Sequence, residues 1–132
     1  MVTKTISYTD YDGVERTEDF RFNLTKAELT TMFNSVPGGL EKRLDNIIKT
    51  KNAPEIMENF RAILKASYGV KSADGRKFMK SEEIFKDFEG TEAYSIIFME
   101  LCTDAEAAAD FIKGVLPKDL ANEVDKMPKL IL

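Results

Sequence analysis

The chain has 132 residues, of which 43% are hydrophobic and 32% are charged, and its net charge is −4. This size and composition are typical of one folded domain and exclude wholesale disorder. The small acidic excess is the opposite of the basic surplus that drives affinity for phosphate backbones, so we expect no binding to nucleic acid.

The sequence shows no signal for export or for insertion into a membrane. The N-terminal stretch "MVTKTISYTDYDG" lacks both an apolar core and a small-residue cleavage site. The apolar run Tyr94–Met99 is too short to span a bilayer. Cys102 is the single cysteine, so it has no intramolecular disulfide partner, and we expect it to be a buried, unreactive thiol. These observations predict a soluble cytoplasmic protein with no membrane partner.

Residues 3–22 are predicted to form a β-hairpin. Apolar residues alternate with polar ones in both halves of this segment, with the period of a half-buried strand. The alternating apolar residues are Ile6, Tyr8, Phe20 and Phe22. Asp12 and Gly13 lie between the two halves and form a good turn signal, because glycine tolerates positive φ. An isolated hairpin is marginally stable in water, so this one must pack on the helices or pair with another chain.

The first helix has the best-defined start in the chain. Thr25 is a suitable N-cap, and Glu28 lies three residues later, where it completes a capping box. Leu24 and Leu29 are spaced as a hydrophobic staple across this start. A short helix is therefore predicted over about Lys26–Phe33.

Two more helices are predicted before residue 69. The first has an apolar stripe with helical period, formed by Leu40, Leu44, Ile47 and Ile48. The second is expected to begin at a capping pair, Asn52 and Glu55. It is expected to end at Gly69, because glycine favours the left-handed conformation of a helix stop.

The next segment is predicted to contain a turn and two helices. Asp74 and Gly75 indicate a turn or a short second hairpin. Ser81 is expected to begin a helix that ends near Gly90, and "TEAYSIIFMELC" stacks apolar residues on one face of the following helix. We interpret the basic residues of "GRKFMK" (75–80) as solvated charge.

The last predicted helix is rich in alanine. We expect a capping box of Thr103 and Glu106 to start it, and it stops before Pro117. The predicted fold is therefore α+β, with an N-terminal β-hairpin followed by a bundle of about six short amphipathic α-helices over residues 25–116. One domain is predicted over residues 1–117, followed by a C-terminal tail.

The residue types needed for most enzyme chemistry are missing. The chain has no histidine, which removes the commonest general base, the Ser-His-Asp triad and the most frequent metal ligand. No phosphate-binding loop or dinucleotide motif is present. Neighbouring acids such as Glu82 and Glu83 lie at a helix start, where the helix dipole accounts for them. We expect no enzymatic activity and no catalytic, cofactor-binding or metal site, although a mechanism that uses carboxylates alone stays open.

Two features favour protein binding. The hairpin offers an open edge, which is a template for strand addition from another chain. The tail over residues 118–132 carries apolar residues at helical spacing and ends on three of them, so we take these side chains as candidate partner-binding residues. They are Leu120, Val124, Met127, Leu130, Ile131 and Leu132. In the alternative interpretation, the hairpin packs on the helices and the tail folds back as a further helix.

Four segments occur in a fixed order along the chain. They are "FNLTKAEL" (22–29), "VPGGL" (36–40), "YGVKSADGRKFMKS" (68–81) and "TEAYSIIFMELCTDAEAAADFIKGVLP" (91–117). Together they resemble the tail assembly chaperones of long-tailed bacteriophages and of prophages of Gram-positive bacteria. The resemblance covers residues 11–117, whereas the tail follows no recognisable pattern of the family.

The resemblance implies a non-catalytic protein of virion morphogenesis in the host bacterial cytoplasm. Proteins of this kind bind the long, hydrophobic tape measure protein, keep it soluble and help to recruit the major tail protein. Many also exist as a longer form made by ribosomal frameshifting, and the length of the client implies several copies, hence a homo-oligomer. The alternative is a structural tail-completion or connector protein that remains in the virion.

Overall fold

The structure is a computed structural model that describes residues 1–33 and 53–117. Its elements are β1 (Val2–Thr9), β2 (Glu15–Phe22), α1 (Lys26–Phe33), α2 (Ala53–Ser67), β3 (Tyr68–Lys71), β4 (Phe78–Met79), α3 (Glu82–Glu89), α4 (Glu92–Thr103) and α5 (Ala105–Val115). The predicted α+β class is confirmed, with five helices in the described residues. The predicted helix with the stripe Leu40, Leu44, Ile47 and Ile48 lies outside the described residues, as does the predicted cap Asn52.

The strands of the described residues form one antiparallel sheet in the order β1-β2-β3-β4. β1 and β2 pair along their whole length, as the alternating pattern predicts. β3 joins at the base of β2, where Tyr68 lies opposite Phe22 and Gly69 lies opposite Arg21. The second turn signal therefore marks a short second hairpin, and that hairpin extends the first one into a wider sheet.

The predicted position of this helix end is confirmed, but Gly69 lies in β3 and does not have the positive φ of a helix stop. α2 ends at Ser67, whose carbonyl oxygen accepts a hydrogen bond from Asn23 N–H at 2.8 Å. A Cβ atom on Gly69 would lie 2.7 Å from the Phe78 ring and 2.8 Å from the Met79 carbonyl oxygen. The glycine is needed because the second hairpin packs closely over this position.

The hairpin has two chemically different faces. Half-buried side chains of β1 point towards the helices, and exposed side chains point away from them. The exposed side chains are Thr3, Thr5, Ser7 and Thr9. On this face Thr5 Oγ1 donates to Asp19 Oδ1 at 2.6 Å, and the hydroxyls of Ser7 and Thr17 lie 2.9 Å apart. The outer face of the hairpin is therefore polar and exposed.

An aromatic cluster fills the space between the sheet and the helices. It consists of Phe20, Phe22, Tyr68, Phe85, Phe88 and Tyr94. The Phe88 ring is central, with the other five ring centroids at 4.2–6.4 Å. Phe111 of α5 also contacts Phe22, at 5.1 Å between ring centroids, and Leu24 N–H donates to the Val115 carbonyl oxygen at 3.0 Å. The end of β2 is thus tied to the end of α5.

Two predicted helix starts are confirmed by their cap geometry. Thr25 N–H donates to Glu28 Oε1 at 3.0 Å, and Glu28 N–H donates to Thr25 Oγ1 at 3.1 Å, which completes the capping box. Leu24 and Leu29 are both buried beside it, as expected for a hydrophobic staple. Ser81 caps α3, where its hydroxyl oxygen accepts from Ile84 N–H at 3.0 Å.

The predicted cap of the alanine-rich helix was wrong by one residue. Thr103 is the last residue of α4, and its hydroxyl donates to the Met99 carbonyl oxygen at 2.6 Å. Asp104 is the N-cap of α5, with its carboxylate accepting from Glu106 N–H at 3.1 Å and Ala107 N–H at 3.0 Å. Because Asp104 serves both as the C-cap of α4 and as the N-cap of α5, it makes the corner between them.

The loop between β1 and β2 is organised by one carboxylate. Gly13 has a φ of 82°, as the turn signal requires. Asp10 accepts hydrogen bonds from Asp12 N–H and Val14 N–H, both at 2.9 Å, and from Arg16 Nε at 2.7 Å. The hydrogen bond from Arg16, followed by that from Val14, holds the pKa of Asp10 below its usual value.

Removing the Arg16 guanidinium is expected to raise the pKa of Asp10. Because the folded-state pKa is depressed, the stabilisation from Asp10 is present above its unfolded pKa of about 3.9 and is lost as the pH falls through the folded value. An NMR titration of the Asp10 carboxyl carbon in Arg16→Gln measures the change. Lys77→Gln, in the second hairpin, should leave the Asp10 titration unchanged, and an equal titration in all three proteins would contradict the assignment.

Candidate functional site

The ionisable groups of the described residues form no metal-ligating cluster, and none of their carboxyl groups has a clearly raised pKa. Among these residues, no group of three or more Cys, Asp or Glu side chains could hold a metal ion. Three of the carboxyl groups have clearly shifted pKa values, and all three shifts are downward, opposite to the shift that makes a general acid at neutral pH. Burial raises the pKa of the half-buried Cys102 thiol, which keeps it protonated and poorly nucleophilic. None of the helices in residues 1–33 and 53–117 is long and apolar enough to cross a bilayer.

The partner-binding residues predicted in the tail lie outside the described residues. They are Leu120, Val124, Met127, Leu130, Ile131 and Leu132. The other predicted binding feature, the hairpin edge, is described, and it lies at β1.

A groove beside the C-terminal half of α2 is the candidate site that sequence reasoning missed. It is open to solvent and has a volume of about 530 Å³. The described residues that line it are Ala62, Lys65, Ala66, Lys80, Ser81 and Glu82. We call it the α2 groove. Ala62 and Ala66 stand one helical turn apart, so α2 presents methyl groups here and leaves room for another element to approach closely.

The wall of the α2 groove is fixed by Lys80. Its Nζ donates to the carbonyl oxygens of Asn23 at 2.5 Å and Ala66 at 2.9 Å, and to Glu28 Oε2 at 2.7 Å. Burial raises the pKa of Glu28, but the hydrogen bonds from Lys80 and Thr25 outweigh burial and lower the pKa overall. Lys80 is therefore a structural cation, and the interpretation of "GRKFMK" as solvated charge was wrong for this residue.

The chemistry of the α2 groove suits an amphipathic helix. Its methyl groups can cover apolar side chains, and charged groups stand at the rim, where Lys65 Nζ and Glu82 Oε1 are 3.9 Å apart. An apolar centre with a polar rim is the usual composition of a protein-binding surface. Helices recognised in grooves use their apolar face in this way. Only the short spacing Ala62–Ala66 signals this groove in the sequence, because its other wall comes from the segment around Ser81.

Comparison with known proteins identifies one family. A family model described as phage tail assembly chaperone matches residues 1–129. The match extends beyond the four resembling segments and takes in most of the C-terminal tail. No curated protein and no solved structure matches the chain.

Proposed function

Because the chain belongs to the phage tail assembly chaperone family, we propose that it binds the tape measure protein and keeps it soluble during tail assembly. It covers apolar surface of the client non-covalently and helps to recruit the major tail protein, after which it is displaced. It acts in the host bacterial cytoplasm, in several copies on one client, with no enzymatic activity and no nucleic-acid partner. A frameshifted longer form of the chain is a further candidate partner.

The α2 groove is the observation that supports this mode of binding. An amphipathic client helix can place its apolar stripe over the methyl groups of Ala62 and Ala66, with polar residues near Lys65 and Glu82. The groove wall is held by the hydrogen bonds of Lys80, so little ordering is needed on binding. The apolar residues of the tail remain a second candidate surface for the same client.

Filling the α2 groove is expected to weaken client binding without unfolding the protein. Ala62 is exposed, so Ala62→Arg places a guanidinium in the groove and leaves the core intact. We expect the affinity for the tape measure protein to fall by about tenfold or more, which corresponds to roughly 1.4 kcal/mol. The measurement is co-expression with the tape measure protein, in which soluble and co-purified client are scored at matched expression.

The matched control adds the same group elsewhere. Ala73→Arg makes the same change at an exposed alanine between β3 and β4 that does not line the groove, and the variant should solubilise the client as well as the unchanged protein does. Equal activity of Ala62→Arg would exclude the groove as the client site. The proposed function itself would be contradicted if the unchanged protein failed to solubilise the client and the longer form, where it exists, failed as well.

The amount of this chain in purified virions distinguishes a chaperone from the alternative function, a structural component of the tail. A chaperone that is displaced during tube growth should be absent or scarce in finished particles. Stoichiometric amounts of the chain in purified particles would favour a tail-completion or connector protein.

A further inference from the structure

β1 is an edge strand with hydrogen-bonding groups that point outwards. In residues 1–33 and 53–117, no strand pairs with its outer side. Asp10 N–H donates to the Val14 carbonyl oxygen at 2.8 Å, so Asp10 and Val14 form a hydrogen-bonded pair one step beyond β1. Because such pairs alternate along an antiparallel ladder, the even-numbered residues of β1 make the backbone hydrogen bonds to β2. On the other side of the hairpin, Asn23 N–H donates to the Ser67 carbonyl oxygen. The backbone N–H and C=O groups of the odd-numbered residues of β2 therefore point towards β3. The free N–H and C=O groups of β1 thus belong to Thr3, Thr5, Ser7 and Thr9.

The two exposed edges of the hairpin differ in charge. Beyond its contact with β3, the segment Glu15–Asp19 of β2 has four charged residues in five, which is a common protection against unwanted strand pairing. β1 has one charged residue in eight, Lys4, and the rest of the strand is rich in β-branched and aromatic residues. Lys4 Nζ is itself paired with Glu100 Oε1 of α4 at 2.5 Å. Within the part of the chain that the structure describes, the edge of β1 therefore carries no such protection.

Exposed apolar side chains stand beside the same edge. The ion pair with Lys4 shows that the Glu100 side of α4 faces β1. Ile96 lies one helical turn before Glu100 on that side, and Met99 is the neighbour of Ile96 three residues further along the helix. These two side chains are 41% and 48% exposed, respectively. A partner that extends the sheet at β1 would also cover them.

We propose that β1 pairs antiparallel with β1 of a second copy of this chain, across a twofold axis at Ile6. Thr3 then lies opposite Thr9 and Thr5 opposite Ser7 of the second copy, so every outward-facing N–H and C=O group of these residues finds a partner. Lys4 lies opposite Tyr8, whose hydroxyl donates to the Glu18 carboxylate, so no like charges meet.

The second copy is the occupant because β1 complements itself in this register. Twofold pairing also brings α4 of both copies to one side of the joined sheet, where Ile96 and Met99 approach their counterparts. The inference goes beyond the proposed function, since it concerns the isolated chain and holds whichever client is bound.

The test is the oligomeric state of the full chain, measured by sedimentation across a range of concentrations. The unchanged protein is expected to be a dimer that dissociates on dilution. Thr5→Pro removes one outward-facing N–H and no backbone hydrogen bond to β2, and proline is tolerated at a sheet edge. It also removes the exposed hydrogen bond from the Thr5 hydroxyl to Asp19, so Thr5→Val, which loses that bond and keeps the N–H, is the control and should dimerise as the unchanged protein does. We expect Thr5→Pro to raise the dimer dissociation constant at least tenfold. Circular dichroism and cooperative thermal unfolding verify that the variant is folded.

A second pair of variants keeps the test decisive if Thr5→Pro fails to fold. Ile96→Glu places a charge beside the edge and should also raise the dissociation constant. Val70→Glu makes the same change at a residue that is 42% exposed but lies on β3, on the other side of β2, and it should have no effect. A monomeric unchanged protein, or equal effects of Ile96→Glu and Val70→Glu, would overturn the proposal. Client solubilisation is scored separately, so its failure leaves this result standing.

Discussion

Phe88→Ala is expected to lower the free energy of unfolding by about 3–5 kcal/mol. Phe88 is 1% exposed, and its ring is the centre of the aromatic cluster. Truncation removes its buried apolar surface and leaves a cavity that rigid neighbours on β2, β3 and α4 cannot fill. A domain of this size has about 5–15 kcal/mol in total, so the loss is a large fraction of the stability. Urea unfolding followed by circular dichroism measures it.

The control for this prediction is an aromatic residue at the surface. Tyr11 is 79% exposed in the loop between β1 and β2. Tyr11→Ala should change the free energy of unfolding by no more than about 0.5 kcal/mol. If Phe88→Ala cost less than about 1 kcal/mol, the cluster would be able to collapse around the missing ring, contrary to the close packing described above.

Lys80→Met is expected to cost about 2–4 kcal/mol, although it keeps the aliphatic part of the side chain. The change removes the ammonium group that joins the carbonyl oxygens of Asn23 and Ala66 to the Glu28 carboxylate. Three acceptors in a half-buried place then lose their donor, and one of them carries a charge. Urea unfolding again gives the loss, and Lys77→Met, at an exposed position, should be nearly neutral.

A double variant separates the ion pair from the two backbone hydrogen bonds. If the pair with Glu28 contributes, Glu28→Gln should cost less in the Lys80→Met background than in the unchanged protein. Additive losses would mean that the carbonyl contacts alone account for the role of Lys80.

The features predicted correctly from the sequence are those set by neighbouring residues. The alternation around Ile6 and Phe20 gives the hairpin, and the pair Thr25 and Glu28 gives the start of α1, because each depends on a few consecutive side chains. Two details at helix ends were wrong. Gly69 lies where a left-handed helix stop is usual, but it belongs to β3 and packs against Phe78. Thr103 is of a suitable type for an N-cap, but the carboxylate of Asp104 is the group that caps α5.

The features that were not predicted depend on residues far apart in the chain. β3 joins β2 across more than forty residues, and no local pattern shows which strand it will extend. Lys80 acts on Asn23, Glu28 and Ala66, so its role appears once three segments meet. The α2 groove is missed for the same reason, since its walls come from α2 and from the segment around Ser81.

The tie between the end of β2 and the end of α5 has a consequence for synthesis on the ribosome. Phe22 reaches its packing partner Phe111 only after about 90 more residues have been added, which takes on the order of 5–20 s at usual elongation rates. During this interval the inner face of the nascent hairpin lacks its contact with α5, and the core closes when Val115 can accept the hydrogen bond from Leu24. A reading-frame change beyond the codon of Pro117 would therefore leave the sequence of all these core residues unchanged.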